Sequence, residues 1–286
     1  SIFLPYSSGL QVSADGKRLY TRADTSTTVA VLETDSFTVI DLLPYAAVLA
    51  VSPDNNLLFA WKNEGIYLLK TSDYSIIYRD SAIGTGRFSS NNKRLYALSN
   101  DRLVIHRLEL SDAIYESAQF NTPSGIVKDF EPSISQKQLF YYVQTGPSTH
   151  EFSVYDIALD SIIFKEVQQP GFGDLEISPD GKYVFFTNPG RALLFESGPG
   201  WISVYDVASN SVVTRITTAG ILEPPYQLGL PIGPIKVTPD SRWLVALPNN
   251  FYHGAVFTVD IRILAVTKYL EIGDGNLKGL TMQNAP

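Results

Sequence analysis

The segment ISPDGKYVFF at residues 177–186 decides the fold, because close copies of it recur along the chain. The other copies are QVSADGKRLY (11–20), AVSPDNNLLF (50–59), FSSNNKRLYA (88–97) and KVTPDSRWLV (236–245). Each copy joins a turn-forming run to a short stretch rich in aromatic and aliphatic residues, which predicts a tight turn followed by a β-strand. Recurrence of this kind indicates one repeated structural unit.

The turn position recurs at Asp15, Asp54, Asn91, Ser135, Asp180 and Asp240, with spacings of 39, 37, 44, 45 and 60 residues. A second phrase follows the turn in VAVLETDSFTVI (29–40), IYLLKTSDYSII (66–77), FSVYDIALDSII (152–163) and ISVYDVASNSVV (202–213). Each repeat therefore divides into four strands. Strand A precedes the turn, strand B follows it, strand C carries the second phrase and strand D ends it. No segment has a sustained 3.6-residue period, which predicts very little helix.

Four-stranded repeats of about 40–45 residues predict an all-β protein, a β-propeller of four-stranded antiparallel blades. Complete sets of strands B, C and D begin near Lys17, Leu57, Lys93, Gln138, Lys182 and Arg242, which favours six blades. The alternative is a seven-bladed ring whose last blade is incomplete in this chain, because residues 279–282 resemble a further A strand. We expect residues 1–286 to form a single propeller domain, with the alternative that it is excised from a longer protein.

The Ser-Pro-Asp-Gly turn, the short aromatic strand, the Val-Tyr-Asp strand and the Val-Val-Thr strand resemble the YVTN-type propeller repeats of bacterial surface-layer-like proteins. They are also similar to the propeller subunit, the beta chain, of quinoprotein amine dehydrogenases. The resemblance covers nearly the whole chain and implies the fold without implying an activity. The third and fourth copies depart from it, since Ser-Ser-Asn-Asn and Ser-Ile-Ser-Gln replace Ser-Pro-Asp-Gly.

Composition narrows the classes of function. The 286 residues are 44% hydrophobic and carry a net charge of -7. This acidic balance argues against nucleic-acid binding, which needs clustered cations. The most apolar stretch, residues 42–51, is too short to cross a bilayer, so no membrane insertion is expected. The chain has no cysteine, which excludes disulfides and thiolate metal sites.

The turn phrase has a structural and a functional interpretation. Ser-Pro-Asp-Gly meets the requirements of a type I turn, with Ser first, Pro second and Gly fourth. The alternative is that Asp15, Asp54, Asp180 and Asp240 bind calcium. Because these turns belong to different blades and point apart, their carboxylates cannot converge on one ion. We therefore interpret the phrase as structural.

Loop length distinguishes the two faces of the predicted disc. The A–B and C–D turns lie on one face and stay short throughout the chain, whereas the B–C and D–A loops lie on the other. The B–C loops lengthen at residues 145–151, 188–200 and 248–254, and the longest D–A connection spans 218–234. Long loops on a rigid frame concentrate binding and catalytic residues, although insertions there can also be merely tolerated.

The residues predicted to bind a ligand lie in or beside these loops: Phe172, Arg191, Glu196, Trp201, Tyr226, Phe251, Tyr252 and His253. Aromatic side chains with one polar end suit sugar rings or a protein hot spot. The alternative is that each of these side chains packs under its own loop.

The sequence contains no familiar motif for catalysis or cofactor binding. The histidines are His106, predicted in a strand C, and His150 and His253, predicted in B–C loops. A metal site would have to combine the latter two with Glu151 or Glu196. Three Gly-x-Gly runs lack the third glycine and the helix of a dinucleotide fingerprint, and no Gly-x-Ser-x-Gly elbow occurs. We predict no catalytic residue, no metal and no cofactor.

These observations favour a non-enzymatic binding or interaction propeller that contacts a protein or a glycan through the B–C and D–A loop face of blades 4 to 6. The alternative is an enzyme or enzyme subunit, similar to amine dehydrogenase or lactonase propellers, with its site at the channel mouth. The resemblance and the absence of an Asn-x-Ser/Thr glycosylation sequon favour a bacterial protein. We expect it to be extracellular, at the cell surface or periplasmic, with neighbouring domains of a longer chain among its partners.

Overall fold

The computed structural model is all-β. It describes residues 10–23, 28–62, 65–81, 83–99, 101–111, 114–121, 125–146, 149–168, 174–188, 192–193, 196–197, 200–217, 232–248 and 254–273. Within these ranges the strands form six four-stranded antiparallel sheets, each ordered as in the sequence, and no helix is present. The six sheets confirm the predicted all-β fold and the count of six blades. No segment in the same ranges is a helix long and apolar enough to cross a membrane.

The strands of the first three blades are short and closely spaced. Blade 1 contains β1 (Gln11–Val12), β2 (Arg18–Arg22), β3 (Val29–Glu33) and β4 (Val39–Leu43). Blade 2 contains β5 (Ala47–Val51), β6 (Leu57–Lys62), β7 (Gly65–Lys70) and β8 (Ile76–Asp80). Blade 3 contains β9 (Ile83–Phe88), β10 (Arg94–Ser99), β11 (Val104–Leu110) and β12 (Ile114–Asn121).

The last three blades carry the longer connections. Blade 4 contains β13 (Ile126–Pro132), β14 (Gln138–Gly146), β15 (Thr149–Asp156) and β16 (Ser161–Gln168). Blade 5 contains β17 (Leu175–Ile177), β18 (Tyr183–Asn188), β21 (Trp201–Asp206) and β22 (Ser211–Thr217). Its B–C loop contains a separate two-stranded hairpin of β19 (Ala192–Leu193) and β20 (Glu196–Ser197). Blade 6 contains β23 (Ile232–Val237), β24 (Trp243–Pro248), β25 (Gly254–Asp260) and β26 (Ala265–Gly273).

Every A–B turn closes with the same two hydrogen bonds to its first residue, as the turn of blade 5 illustrates. Gly181 N donates to Ser178 O at 2.7 Å. The Ser178 hydroxyl accepts from Tyr183 N at 2.9 Å, and Asp180 Oδ1 accepts from Lys182 N at 3.0 Å. The fourth turn residue has a positive φ in all six turns, at Gly16, Asn55, Asn92, Gln136, Gly181 and Ser241. The left-handed conformation explains why glycine or asparagine fills four of the six positions. The structural interpretation of the turn phrase is confirmed.

The fourth turn residue also links neighbouring blades at Asn55, Asn92 and Ser241. The Asn55 side chain accepts a hydrogen bond from Ala14 N at 2.6 Å, so the turn of blade 2 caps the turn of blade 1. In the same way the Ser241 hydroxyl accepts from Asp180 N at 3.0 Å, which links blade 6 to blade 5. Asparagine and serine adopt the left-handed backbone conformation less easily than glycine does. Their side chains, however, form a hydrogen bond to the neighbouring blade, which glycine cannot.

The described residues form two compact units, one with the sheets of blades 1 to 3 and the other with those of blades 4 to 6. In the middle blade of each unit, strands B and C bury side chains on both faces because a neighbouring blade covers each face. In β18, Val184 and Phe186 pack towards blade 4, whereas Phe185 packs towards blade 6. This two-sided burial explains the continuous run of apolar residues in Val-Phe-Phe, where a sheet with one solvated face would alternate.

Candidate functional site

Most of the predicted ligand-binding residues lie outside the described ranges. These are Phe172, Arg191, Tyr226, Phe251, Tyr252 and His253. Glu196 lies in β20, where the backbone pairs with Leu193 of β19. Trp201 is the predicted residue whose side chain the structure places, and it is the first residue of β21.

Trp201 belongs to the end of blade 5 from which the long loops leave. It lies opposite Asn188, the last residue of β18, and opposite Thr217, the last residue of β22. On the inner side, Asp174 directly precedes β17, and Asp174 N donates to the Thr187 hydroxyl at 2.7 Å. We call Asp174, Thr187, Asn188, Trp201 and Thr217 the blade 5 end. It runs across the whole sheet, from the innermost to the outermost strand.

The outer part of the blade 5 end combines an aromatic ring with a guanidinium group. Trp201 is half-buried, and Arg215 Cζ lies 5.7 Å from the centre of its ring. Arg215 also pairs with Glu166 of blade 4, with 2.9 Å between Nη2 and Oε1. The indole N–H of Trp201 is buried and has no hydrogen-bond acceptor among the described residues. A buried tryptophan N–H normally finds an acceptor, so this unsatisfied donor sets the position apart from the rest of the blade.

The inner part contains carboxylates that connect three blades. Asp129 of blade 4 accepts a hydrogen bond from Leu175 N of blade 5, with 3.2 Å to Oδ2. Asp174 of blade 5 accepts from Ile235 N of blade 6, with 2.8 Å to Oδ2. The strands β13, β17 and β23 are the innermost of their sheets, so one edge of each has no strand partner. The carboxylates satisfy backbone N–H groups on that edge, which would otherwise lack a partner in the fold.

The environment of Asp174 favours its neutral form. Burial of its carboxyl group and, next in size, the negative charge of Asp129 together raise its pKa to about 7. Lys236 and the hydrogen bond from Ile235 N act in the opposite direction, and Lys236 forms an ion pair with Glu176. Asp174 can therefore gain or release a proton near neutral pH.

Sequence reasoning missed Asp129 and Asp174, although the repeat contained a signal. Both stand four residues before the first residue of their A–B turn. The same position holds Val48 in blade 2, Thr85 in blade 3 and Pro234 in blade 6. A carboxylate at a repeat position that holds uncharged residues in other blades indicates a role for that side chain. Only the structure shows which group the carboxylate binds.

The predicted loop position of His150 is wrong. The strands of blade 4 extend into residues 145–151, and His150 lies in β15, 3% exposed and stacked on Tyr142 with 5.5 Å between ring centres. Burial lowers its pKa, and the charge of Lys128 lowers it further. His106 lies in β11, as predicted, with Nδ1 3.2 Å from Glu116 Oε2. Within the described ranges, no three His, Asp or Glu side chains come together as a metal site would require.

No protein-family model and no curated protein matches the chain. Among solved structures it is similar to hydrazine synthase from Kuenenia stuttgartiensis, at a TM-score of 0.71 and 16% identity over 90% of this chain and 77% of that one. It is similar to the β-propeller domain of Cps50 (Swd1) from Myceliophteria thermophila, at a TM-score of 0.70 and 11% identity over 96% and 89%. The dihydro-heme d1 dehydrogenase NirN gives a TM-score of 0.56 and 16% identity over 94% and 66%. The six sheets and these similarities identify a β-propeller; the YVTN resemblance stays a prediction.

Proposed function

We propose that this chain is a non-enzymatic binding or interaction propeller whose B–C and D–A loop face in blades 4 to 6 contacts a protein or a glycan. We place it in the extracellular space, at the cell surface or in the periplasm of a bacterium. The observation that carries the proposal is the environment of Trp201, a half-buried ring with an unused N–H donor and a guanidinium group beside it.

The chemistry of Trp201 suits both classes of partner. A tryptophan ring offers a large apolar face, on which a sugar ring or an apolar side chain can stack. The partly exposed Arg215 supplies N–H donors that a hydroxyl, a carbonyl oxygen or a carboxylate can accept. Tryptophan and arginine are enriched among the residues that carry most of the energy of protein interfaces. Predicted contact residues of the adjoining loops surround this position in the sequence, among them Arg191 and Glu196.

The variant Trp201→Ala tests the proposed face. We expect it to weaken binding by about 2 kcal/mol or more, as truncation of a hot-spot tryptophan does. Partners are identified on glycan and protein arrays with the wild-type chain, and affinities are then measured by calorimetry.

Trp243→Ala is the matched control for this experiment. Trp243 opens β24 at the A–B turn end of blade 6, with Arg242 Cζ 4.9 Å from the centre of its ring. It is thus a similar aromatic–guanidinium pair on the opposite face, and its loss should leave binding unchanged. Equal affinity of Trp201→Ala and the wild type for an identified partner would show that the proposed face is wrong.

An enzyme remains the second candidate because of Asp174. Perturbed pKa values concentrate at catalytic sites, and a carboxyl group with a pKa of about 7 is suited to general acid–base catalysis. Hydrazine synthase and NirN are enzymes by name, so similar folds accommodate catalysis. A panel of lactones and amines tests this candidate. Turnover that falls by about 10²-fold or more in Asp174→Asn, a typical contribution of a general acid or base, would favour the enzyme.

A further inference from the structure

We propose a second binding site between the A–B turns of blades 1 and 2, for the anionic group of a small molecule that carries a carboxylate or a phosphate. This site goes beyond the proposed function, because it lies in a different compact unit and at the turns of its blades rather than at their long loops. The sequence gives no indication of it, since the turn phrase there serves the fold.

The site is a cleft of about 270 Å³. Its lining residues are Ser13, Asp15, Lys17, Arg18, Tyr20, Asn55, Thr71 and Ser72. They come from the turn and strand B of blade 1, the A–B turn of blade 2 and the C–D turn of blade 2. Small-molecule sites in proteins begin at about 300 Å³, so a cleft of this size suits a ligand no larger than a single sugar.

Arg18 is the group that selects the ligand. Its side chain is half-buried, Nη1 donates to Thr71 O at 3.3 Å, and the Tyr20 hydroxyl lies beside it. It forms no ion pair with any described residue. A guanidinium group presents five N–H donors in a planar fork that matches a carboxylate or a phosphate. Most of these donors remain for a ligand.

In blade 3 the equivalent arginine, Arg94, forms an ion pair with a carboxylate. Arg94 lies in the same position after its turn and binds Glu109 across the strands, with Nε 3.0 and 3.1 Å from the two carboxylate oxygens. In blade 1 the residue across from Arg18 is Glu33, whose carboxylate accepts instead from the Ser36 hydroxyl at 2.8 Å. Arg18 thus lacks the charge partner that the repeat provides elsewhere.

The remaining charges of the cleft also favour an anion. Lys17 is exposed and forms no ion pair with a described residue. Asp15 is the one acid among the lining residues, and its Oδ1 already accepts from the Ser13 hydroxyl at 2.6 Å and from Lys17 N at 3.1 Å. The cleft therefore carries two cations against one occupied carboxylate, in a chain whose net charge is -7. Of the two charge signs, an anionic group gains more from these donors.

Titration of the full chain with inorganic phosphate and with glucuronate tests the site, with glucose as the neutral probe. Ionic strength is held constant, and amide shifts of Ser13 to Tyr20 and of Thr71 and Ser72 are followed by NMR. We expect saturable shifts with one or both anions and none with glucose, and the tighter anion identifies the chemistry of the natural ligand. Arg18→Gln should weaken binding about tenfold or more, as loss of charge-assisted hydrogen bonds does.

Lys93→Gln is the matched control, because Lys93 is the exposed lysine of blade 3 at the position that Lys17 occupies in blade 1. It should bind as the wild type does. Lys17→Gln, which should also weaken binding, replaces Arg18→Gln if the latter does not fold. Shifts that do not saturate, or that persist unchanged in the Arg18 or Lys17 variant, would overturn the proposal. Trp201→Ala should leave phosphate binding unchanged. A negative result for this site would therefore not count against the proposed function, and the reverse also holds.

Discussion

Phe186→Ala is expected to lower the free energy of unfolding by about 3–5 kcal/mol, the usual cost of truncating a fully buried phenylalanine. Phe186 is fully buried in β18 and stacks on Phe152 of blade 4, with 4.1 Å between ring centres and 10° between ring planes. Phe152 in turn contacts Tyr205 of blade 5 edge to face at 5.5 Å. The two blades are joined here by interlocked aromatic rings, so alanine would leave a cavity that neither rigid sheet can close.

Urea unfolding followed by tryptophan fluorescence measures this effect, since Trp201 lies in the same blade. Ser203→Ala is the matched control. Ser203 pairs across the strands with Phe186, is fully buried, and its hydroxyl has no hydrogen-bond partner among the described residues. Removing an unsatisfied buried hydroxyl should leave stability unchanged or raise it by about 1 kcal/mol. A loss below about 1 kcal/mol for Phe186→Ala would contradict the role of the stack.

The features that could be predicted from the sequence are those whose causes are local. In the A–B turn, the hydroxyl of Ser178 and the carboxylate of Asp180 bind amides no more than five residues away. All the chemistry of the turn is therefore contained in one short phrase, and its recurrence gives the blade count. The two-sided burial of strands B and C is equally local, since a run such as Val-Phe-Phe already excludes a solvated face.

Trp201 was predicted from its place beside a long loop, but the inner part of the candidate site could not be predicted because its contacts are distant in sequence. Asp129 binds an amide 46 residues later, and Asp174 binds one 61 residues later. Neither partner is a side chain, so no residue type in the sequence marks it. Arg18 could not be distinguished from Arg94 for another reason, because both occupy the same repeat position with a glutamate opposite. The two differ only because Glu33 binds Ser36 in blade 1, whereas Glu109 binds Arg94 in blade 3.

Replacing Asp174 with asparagine is expected to stabilise the protein above neutral pH and to have its smallest effect near pH 4. The folded pKa of Asp174, about 7, lies above its unfolded value of 3.8, so the native state binds the extra proton between these limits. Stability from this group is therefore complete below pH 4 and is lost as pH rises to about 7. The loss amounts to about 1.4 kcal/mol for each pH unit of the interval. Asparagine keeps an oxygen that can accept a hydrogen bond from Ile235 N, and it does not ionise. The unfolding free energy of the variant therefore does not fall with pH in this way.

The measurement is the difference in unfolding free energy between Asp174→Asn and the wild type at pH 4, 6 and 8, which cancels the titration of all other groups. Asp206→Asn is the control of opposite sign. Asp206 Oδ1 accepts from Ser209 N at 2.7 Å, a hydrogen bond that lowers the pKa of its carboxyl group, so its ionised form stabilises the fold. Its replacement should therefore destabilise at pH 6 and pH 8 alike, and this cost should shrink only as the pH falls below about 4. If Asp174→Asn destabilised equally at every pH, the carboxylate would be ionised throughout, and its link to Ile235 N would be a permanent tie between blades 5 and 6. A gain that grows with pH would instead identify Asp174 as a carboxyl group held protonated by the fold, the state in which it can donate a proton to a ligand.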